Sequence, residues 1–325
     1  MSKKISIIIS LYNEEQGILN FWKNLKKTLD DRIDIDFELL WVNDGSTDQT
    51  QNLINQISAE KNDKNIKHLS IEFSKNFGHE AAMIAGIDYA TGEAMICMDS
   101  DGQHPPSAIH EMIAAYQKGN DIVLMERMQR EDNGRLKRFF SSFFYKIINA
   151  LSAIKFQNNS TDFFLISRQV ADILRSNYRE QNRFIRGFIQ SIGFDTAVLP
   201  FYAAAREFGE SNYSYFGLLR LAFDAIFAFS SKPLRISMFF SVLFILFTIV
   251  FSGYSLYMYI YGETPPSGYT TIVLFLSVSF SLLFLTITVL SLYFEKALQE
   301  MRQRPLYIVK RQTADGEQQT ANDAG

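Results

Sequence analysis

Three short acidic segments stand out for the chemistry they could support: Asn13-Glu14-Glu15, Asn43-Asp44 and Asp99-Ser100-Asp101. Each follows an apolar, β-rich run, and in an open α/β sheet ligands bind in the crevice outside the carboxyl ends of the strands. Carboxylates gathered around one crevice repel an anionic ligand unless a divalent cation stands between them. A hard cation such as Mg2+ or Mn2+ takes oxygen donors and bridges to phosphates, so the pattern points to a metal–diphosphate. One Asp-x-Asp is weak, because turns after strands are often acidic; its place at a strand end, with two acidic turns upstream, carries the reading. The four histidines are scattered without the pairing a zinc site needs, and His79 is expected to cap or pack at a helix start. Cys97, the single cysteine, lies in Ala94-Met95-Ile96-Cys97-Met98 and reads as a small buried hydrophobe, which leaves no disulfide and fits a reducing compartment.

The elements that must position these residues alternate between strands and helices, the pattern of a mostly parallel sheet covered by helices. Strands are expected at Ile5–Ser10, Phe37–Val42, Ile66–Phe73, Glu93–Met98 and Asp121–Met125. Helices are expected from Glu15 to Leu29, where Ile18, Phe21, Trp22, Leu25 and Leu29 fall at helical spacing, from Gly78 to Tyr89, and after Pro106. No Gly-x-Gly-x-x-Gly follows the first strand, which argues against a dehydrogenase-type dinucleotide site. The N-terminal residues pass directly into the first strand, so no cleavable signal peptide is expected. A net charge of −3 gives no reason to expect nucleic acid.

The second half changes character. Arg127 to Arg138 is rich in basic residues, Phe139–Leu151 reads as an aromatic helix, and a further α/β stretch runs to about Pro200. Tyr213–Phe229 suits a helix lying in a membrane interface, with a buried core helix as the rival reading. Ile236–Tyr261 and Thr270–Phe294 each exceed the roughly 20 apolar residues needed to cross a bilayer, and neither contains a charge. The loop between them lacks Lys and Arg, whereas Lys232, Arg235, Lys296, Arg302 and Arg304 flank the outer ends. The positive-inside rule then puts both termini in the cytoplasm of an inner-membrane, multi-pass protein. The expected division is a catalytic α/β domain over 1–210, juxtamembrane helices over 211–235, a transmembrane hairpin over 236–294 and a cytoplasmic tail over 295–325. That tail should hold a short strand at Leu306–Val309 and be disordered from Ala314.

Ser10-Leu11-Tyr12-Asn13-Glu14-Glu15, Val42-Asn43-Asp44-Gly45-Ser46-Thr47-Asp48 and Asp99-Ser100-Asp101-Gly102-Gln103-His104-Pro105-Pro106 resemble the N-terminal motifs of family-2, GT-A-fold inverting glycosyltransferases. Asn76-Phe77-Gly78-His79-Glu80-Ala81-Ala82-Met83, Arg186-Gly187-Phe188 and Arg206-Glu207-Phe208-Gly209-Glu210-Ser211-Asn212-Tyr213 narrow the resemblance to the polyprenyl-phosphate glycosyltransferases, relatives of dolichyl-phosphate mannose synthase. The resemblance covers Lys4 to Val309. It implies a Rossmann-like GT-A domain followed by interfacial and transmembrane helices. The nucleotide-sugar would lie near Ser10, Leu11, Tyr12, Glu14, Asn43, Asp44, Asp99 and Ser100, with Mg2+ or Mn2+ on Asp99, Asp101 and Gln103. Asp101 and Asp162 would serve catalysis. Asp162 matches the Asp of an Asp-Phe-Arg-Leu motif, and either takes a proton or positions the acceptor or metal. Departures are Ser10 for Pro, Asn43 for Asp, Phe164 for the motif's Arg, and Asn212 for Lys.

A polyprenyl phosphate acceptor carries a dianionic head on a lipid tail and needs fixed positive charge beside a membrane. Arg127, Arg135, Lys137 and Arg138, with Ser141 or Ser142 one turn on, and Arg206 supply it, Arg being suited to phosphate by its planar fork. The expected reaction is one in-line displacement that inverts the anomeric carbon. A phosphate monoester with a second pKa near 6 is already an anionic nucleophile at neutral pH. UDP-glucose and undecaprenyl phosphate are the preferred substrates by analogy, and a homo-oligomer is expected by the same analogy. Two rival readings are a processive polysaccharide synthase and an inactive GT-A membrane scaffold. The first needs a Gln-x-x-Arg-Trp motif that the two tryptophans, Trp22 and Trp41, cannot supply.

Overall fold

The computed structural model describes residues 3–60, 65–128, 160–181, 183–202, 232–261, 268–314 and 317–319. The chain divides into two compact units: Met1–Phe139 with Phe156–Asn212 and Arg304–Gly325, and Phe140–Lys155 with Tyr213–Gln303.

In the first unit, apolar runs buried on both faces form the parallel strands β1 (Lys3–Leu11), β2 (Ile35–Asn43), β3 (Ile66–Phe73) and β4 (Ala94–Asp99). They are joined through α1 (Ile18–Asp30), α2 (Thr50–Ser58) and α3 (His79–Tyr89). Then come α4 (Ala108–Gln117), β5 (Ile122–Arg127), β6 (Ser160–Ser167), α5 (Arg168–Asn177), α6 (Ile185–Ile192) and β7 (Thr196–Phe201). Two more strands, β8 (Val309–Ala314) and β9 (Glu317–Gln319), complete a nine-stranded sheet of order β7-β5-β6-β4-β1-β2-β3-β8-β9. This is the mixed α/β sheet that the GT-A expectation requires.

The topology places the site. β1 pairs in parallel with β2 on one side and β4 on the other, so the chain switches direction of growth across β1. The crevice at that switch point opens at the carboxyl ends of β1 and β4. Alternate residues of β1 divide between the faces, as the two-residue strand period demands. Ile5, Ile7, Ile9 and Leu11 join the core under α1, α2 and α4. On the other face α3 packs so close to β1 that a Cβ on Gly86 would lie 2.1 Å from Ile8 Cγ2. Arg175 of α5 donates to the carbonyls of Ile87 and Ala90, satisfying the C-terminal end of α3.

The return from the second long helix differs from expectation. The strand lies at Val309–Ala314 rather than Leu306–Val309, and β9 pairs with it antiparallel within the stretch expected to be disordered. The open edge of β3 explains this: its unpaired backbone groups take β8 in antiparallel register, and Ser74 N–H donates to the Ile308 carbonyl at 3.0 Å. A polar sequence such as Lys310-Arg311-Gln312-Thr313 gives no apolar alternation from which to foresee the pairing.

The second unit contains α7 (Lys232–Tyr261) and α8 (Tyr269–Met301). Leu234–Met258 and Thr271–Met301 are long and apolar enough to cross a membrane, and no described residue in their most apolar stretches is fully buried within the protein. Phe275 of α8 stacks on Phe244 and Phe251 of α7, at 6.1 and 5.5 Å between ring centres.

Candidate active site

The loops after β1 and β2 are stitched together by side-chain caps on backbone N–H groups. Asn13, in the left-handed region at φ 56, accepts from Thr47 N–H at 2.9 Å. In return Ser46 Oγ accepts from Asn13 N–H, Thr50 Oγ1 from Glu14 N–H, and Asp48 from Glu15 N–H. Asn43 is buried and closes its own turn: its oxygen accepts from Ser46 N–H at 2.9 Å and its nitrogen donates to Gln51 at 2.8 Å. Asp44, also buried, accepts from Phe77 N–H at 2.6 Å and Gly78 N–H at 2.9 Å. Burial raises its carboxyl above the ordinary value, and these two N–H groups work against that shift. Leu11 is buried at the mouth of β1, while Tyr12 stands 46% exposed, an aromatic surface at the edge of the crevice.

At the end of β4, Gly102 turns the chain at φ 78 and brings Gln103 back onto Asp101. Both the backbone and side-chain N–H of Gln103 donate to the Asp101 carboxylate at 3.0 Å, and Gln103 Oε1 accepts from Arg127 at 2.7 Å. Ser100 is buried. Asp99 N–H donates to His104 Nδ1 at 2.9 Å, so that nitrogen is an acceptor, and the ring is stacked on Phe163 with centres 4.8 Å apart. A cleft of about 430 Å³ runs from Glu14, Ser100 and Asp101 along the flank of α1 to Lys27.

Asp162 on β6 meets Asp99 through His79, the first residue of α3. His79 Nε2 lies 3.5 Å from Asp99 and 3.6 Å from Asp162, while Nδ1 is 2.9 Å from Ser10 Oγ, which reaches Asp99 at 3.2 Å. Burial opposes a charge on the imidazole, but the carboxylates of Asp99 and Asp162 outweigh it and push its pKa up to about 9. An imidazolium then donates from both nitrogens, with Ser10 relaying one hydrogen bond to Asp99. Arg186 Nε approaches the other oxygen of Asp162 at 2.9 Å, out of line for a hydrogen bond, and so forms an ion pair. Burial alone would raise the Asp162 carboxyl, yet His79 and Arg186 hold it below the usual carboxylate range. Glu80 accepts from Ile185 N–H at 2.9 Å and is raised by burial and by the charge on Asp162.

Ser10, Asp99 and Asp162 thus converge on one point, and Asp101, Gln103 and Arg127 form a neighbouring chain. Leu11 and Asn43 end β1 and β2, and Tyr12, Glu14, Asp44 and Ser100 lie on the loops that follow β1, β2 and β4 around the crevice. Arg135, Arg138, Ser141 and Arg206 lie outside the described residues, as do the helices expected over 139–151 and 213–229. Sequence reasoning missed the central position of His79 and assigned no role to Glu80, Arg183 or Arg186. The sequence signals for His79 were its place at a helix start after the third strand and its presence in the Asn76–Met83 segment that narrows the family resemblance.

A divalent cation fits the donor set at the β4 end. Asp99 and Asp101 offer carboxylate oxygens and Gln103 a carbonyl oxygen that also accepts from Arg127, whereas Nδ1 of His104 is taken by Asp99 N–H. Among the described residues no three His, Cys, Asp or Glu side chains gather as a self-sufficient metal site.

A family model described as glycosyl transferase family 2 matches residues 6–174. A prophage bactoprenol glucosyl transferase homolog of Escherichia coli is 32% identical over 95% of this chain and 99% of its own length. An uncharacterized glycosyltransferase of Bacillus subtilis is 31% identical over 96% of this chain and 95% of its own. Among solved structures, glucosyl-3-phosphoglycerate synthase from Mycobacterium tuberculosis aligns with a TM-score of 0.44 at 15% identity, covering 69% of this chain and 78% of that one.

Proposed function

The chain belongs to glycosyl transferase family 2 and is a glycosyltransferase, and from that premise we propose that it moves a hexose, with UDP-glucose as the preferred donor, onto undecaprenyl phosphate at the cytoplasmic face of a membrane. The observation that carries this reading is the convergence of Asp99 and Asp162 on His79 at the switch point of the sheet, in a chain with two helices apolar enough to anchor it beside a lipid acceptor. The full-length similarity to a relative named as a bactoprenol glucosyl transferase homolog supports the acceptor class.

In this reading Tyr12 packs against the base, and Asp44 and Glu14 line the ribose side. Asp99, Asp101 and Gln103 hold Mg2+ or Mn2+, which when bound supplies positive charge to the leaving diphosphate. His79 lies at the N-terminus of α3, where the helix dipole also favours negative charge. The acceptor phosphate is itself anionic near neutral pH, so Asp162 does not have to generate a nucleophile from an alcohol. Held ionised by His79 and Arg186, Asp162 is a weaker base than an ordinary carboxylate, so it positions the acceptor through those two cations rather than taking a proton from it. Arg127, with Arg135, Arg138, Ser141 and Arg206, forms the acceptor's phosphate site. The chain assembles as a homo-oligomer with both termini cytoplasmic.

Detergent-purified protein is incubated with Mg2+ or Mn2+, undecaprenyl phosphate and a panel of radiolabelled nucleotide-sugars, and label is counted in the organic phase. UDP-glucose is expected to label lipid, and Asp101→Ala and Arg138→Ala to abolish the signal. If UDP binds with metal but no donor labels lipid, the transfer to a polyprenyl phosphate is wrong.

A further inference from the structure

The Phe77–Gly78 peptide, which delivers α3 and His79 to the site, is gripped from both sides. Its N–H, on Gly78, donates to Asp44 at 2.9 Å, and its carbonyl, on Phe77, accepts from Arg183 Nη2 at 3.3 Å. Gly78 sits at φ 97 and ψ 155, a region essentially closed to residues with a side chain, although open space surrounds the position where a Cβ would go. A backbone in that conformation persists when its surroundings over-determine it, and it turns the chain straight into His79. Arg183 is itself tethered: its Nη1 donates at 2.9 Å to the carbonyl of Leu306. Leu306 is held in turn beside Tyr307, whose ring stacks on Phe73 at 5.2 Å and whose hydroxyl donates to Asp88 at 2.7 Å. None of these groups touches the reacting atoms in the reading given above.

We propose that Arg183 is a positioning residue of the donor site: it fixes the Gly78 linkage that places His79 between Asp99 and Asp162, and makes that placement depend on the segment 304–308 that follows the second apolar helix. Its guanidinium joins two carbonyls from distant parts of the chain, one on the loop after β3 and one on the returning segment. Asp44 holds the opposite edge of the same peptide. The order of the loop after β3 therefore depends in part on the seating of the returning segment. The proposal rests on the nucleotide-sugar reading for its functional consequence, but its structural half does not.

The test uses the full-length protein in detergent with Arg183→Ala, Arg183→Lys and Gly78→Ala. Hydrogen exchange over residues 74–82 is read without ligand, and UDP affinity is read with Mn2+. Arg183→Ala is expected to speed exchange in that segment about tenfold and to weaken UDP about tenfold, the scale of a lost hydrogen bond to a charged group. Exchange in β1 and β4 should stay unchanged. Arg183→Lys, which can still donate to one or both carbonyls, should recover most of both effects. Gly78→Ala should reproduce both through the backbone alone. Unchanged exchange over 74–82 overturns the clamp. So does faster exchange spread evenly through the unit with a matching fall in Tm, which marks a merely structural arginine. Faster local exchange with wild-type UDP affinity overturns the functional link. A wild-type protein that binds no UDP overturns the donor reading instead, a result distinguishable because exchange is measured without ligand.

Discussion

Replacing Gly86 by alanine adds one methyl group at the closest approach of a helix to the sheet. The new Cβ would lie 2.1 Å from Ile8 Cγ2, 3.0 Å from Ile8 Cγ1 and 3.1 Å from Ile8 Cβ. Non-bonded carbons rest at about 3.5–4.0 Å, so α3 and β1 must part by more than about 1 Å, or Ile8 must leave its rotamer. Ile8 is fully buried, in an interior that is close-packed like the rest of a protein core. Overpacking of this kind costs about 1–3 kcal/mol, which lowers Tm by roughly 2–12 °C for a unit of this size. The assay is thermal unfolding of detergent-purified Gly86→Ala, Ile8→Ala and the double variant. Ile8→Ala alone leaves a cavity and costs about 2–5 kcal/mol, but in the double variant the methyl group added at position 86 occupies part of that cavity. The pair should therefore be less destabilised than the sum of the singles by at least about 1 kcal/mol. An unchanged Tm for Gly86→Ala, or strict additivity in the double variant, would refute the packing argument.

Further outcomes follow from the same geometry. Asp162→Asn removes the carboxylate that His79 and Arg186 face, and transfer should fall about 10²-fold, the scale of lost positioning; UDP affinity measured in parallel should stay within about threefold, and a comparable loss of UDP binding would show that Asp162 serves the donor. Gly45→Ala forces a side chain onto a residue at φ 66 with its Cβ 2.4 Å from the Lys75 carbonyl carbon; calorimetric titration should show UDP weakened by about tenfold or more, and wild-type affinity would refute the idea that this turn shapes the donor loop. Glu38 is buried, which raises its carboxyl, but Lys4, Ser6 and Thr91 together hold it below its ordinary value of 4.5. Its folded value is below its unfolded one, so the stabilisation is present above about pH 4.5 and is lost as pH falls through the folded value. Glu38→Gln should therefore show a shallower acid-side decline in Tm than wild type, and parallel declines would count against the network.

The parts of the fold that were legible in the sequence were those written in local periodicity. The β1–β5 strands and α1 could be read from apolar runs such as Ile5–Ser10 and from Ile18, Phe21, Trp22, Leu25 and Leu29, because burial of one face is encoded residue by residue. The two long apolar helices were legible from uninterrupted apolar length without charge rather than from periodicity. β8 was not, since its pairing depends on an edge of β3 more than 200 residues earlier rather than on its own pattern. The site divides in the same way. Asp99 and Asp101 announce themselves at a strand end, but the value of Asn43 and Asp44 to the loops is visible only once Gln51, Phe77 and Gly78 are beside them.

The departure at Phe164 shows how a site can keep its charge balance while losing a motif residue. Asp162 and Phe164 are two apart on β6 and so point to the same face of the sheet, where Phe164 is fully buried and cannot serve as a cation. A carboxylate buried beside such a ring would be driven toward its neutral form unless positive charge reached it from elsewhere. Here it arrives from two other elements: His79 at the start of α3, and Arg186 in the first turn of α6. Positions 79 and 186 are far apart in sequence and on different helices, so neither signals by spacing that it compensates for residue 164. The compensation works only if both helices are held in place. The close seat of α3 at Gly86, the peptide grip at Gly78 and the Glu80 bond to Ile185 N–H at the start of α6 join these two helices. The ionised state of Asp162 is therefore a product of packing as much as of the motif around it.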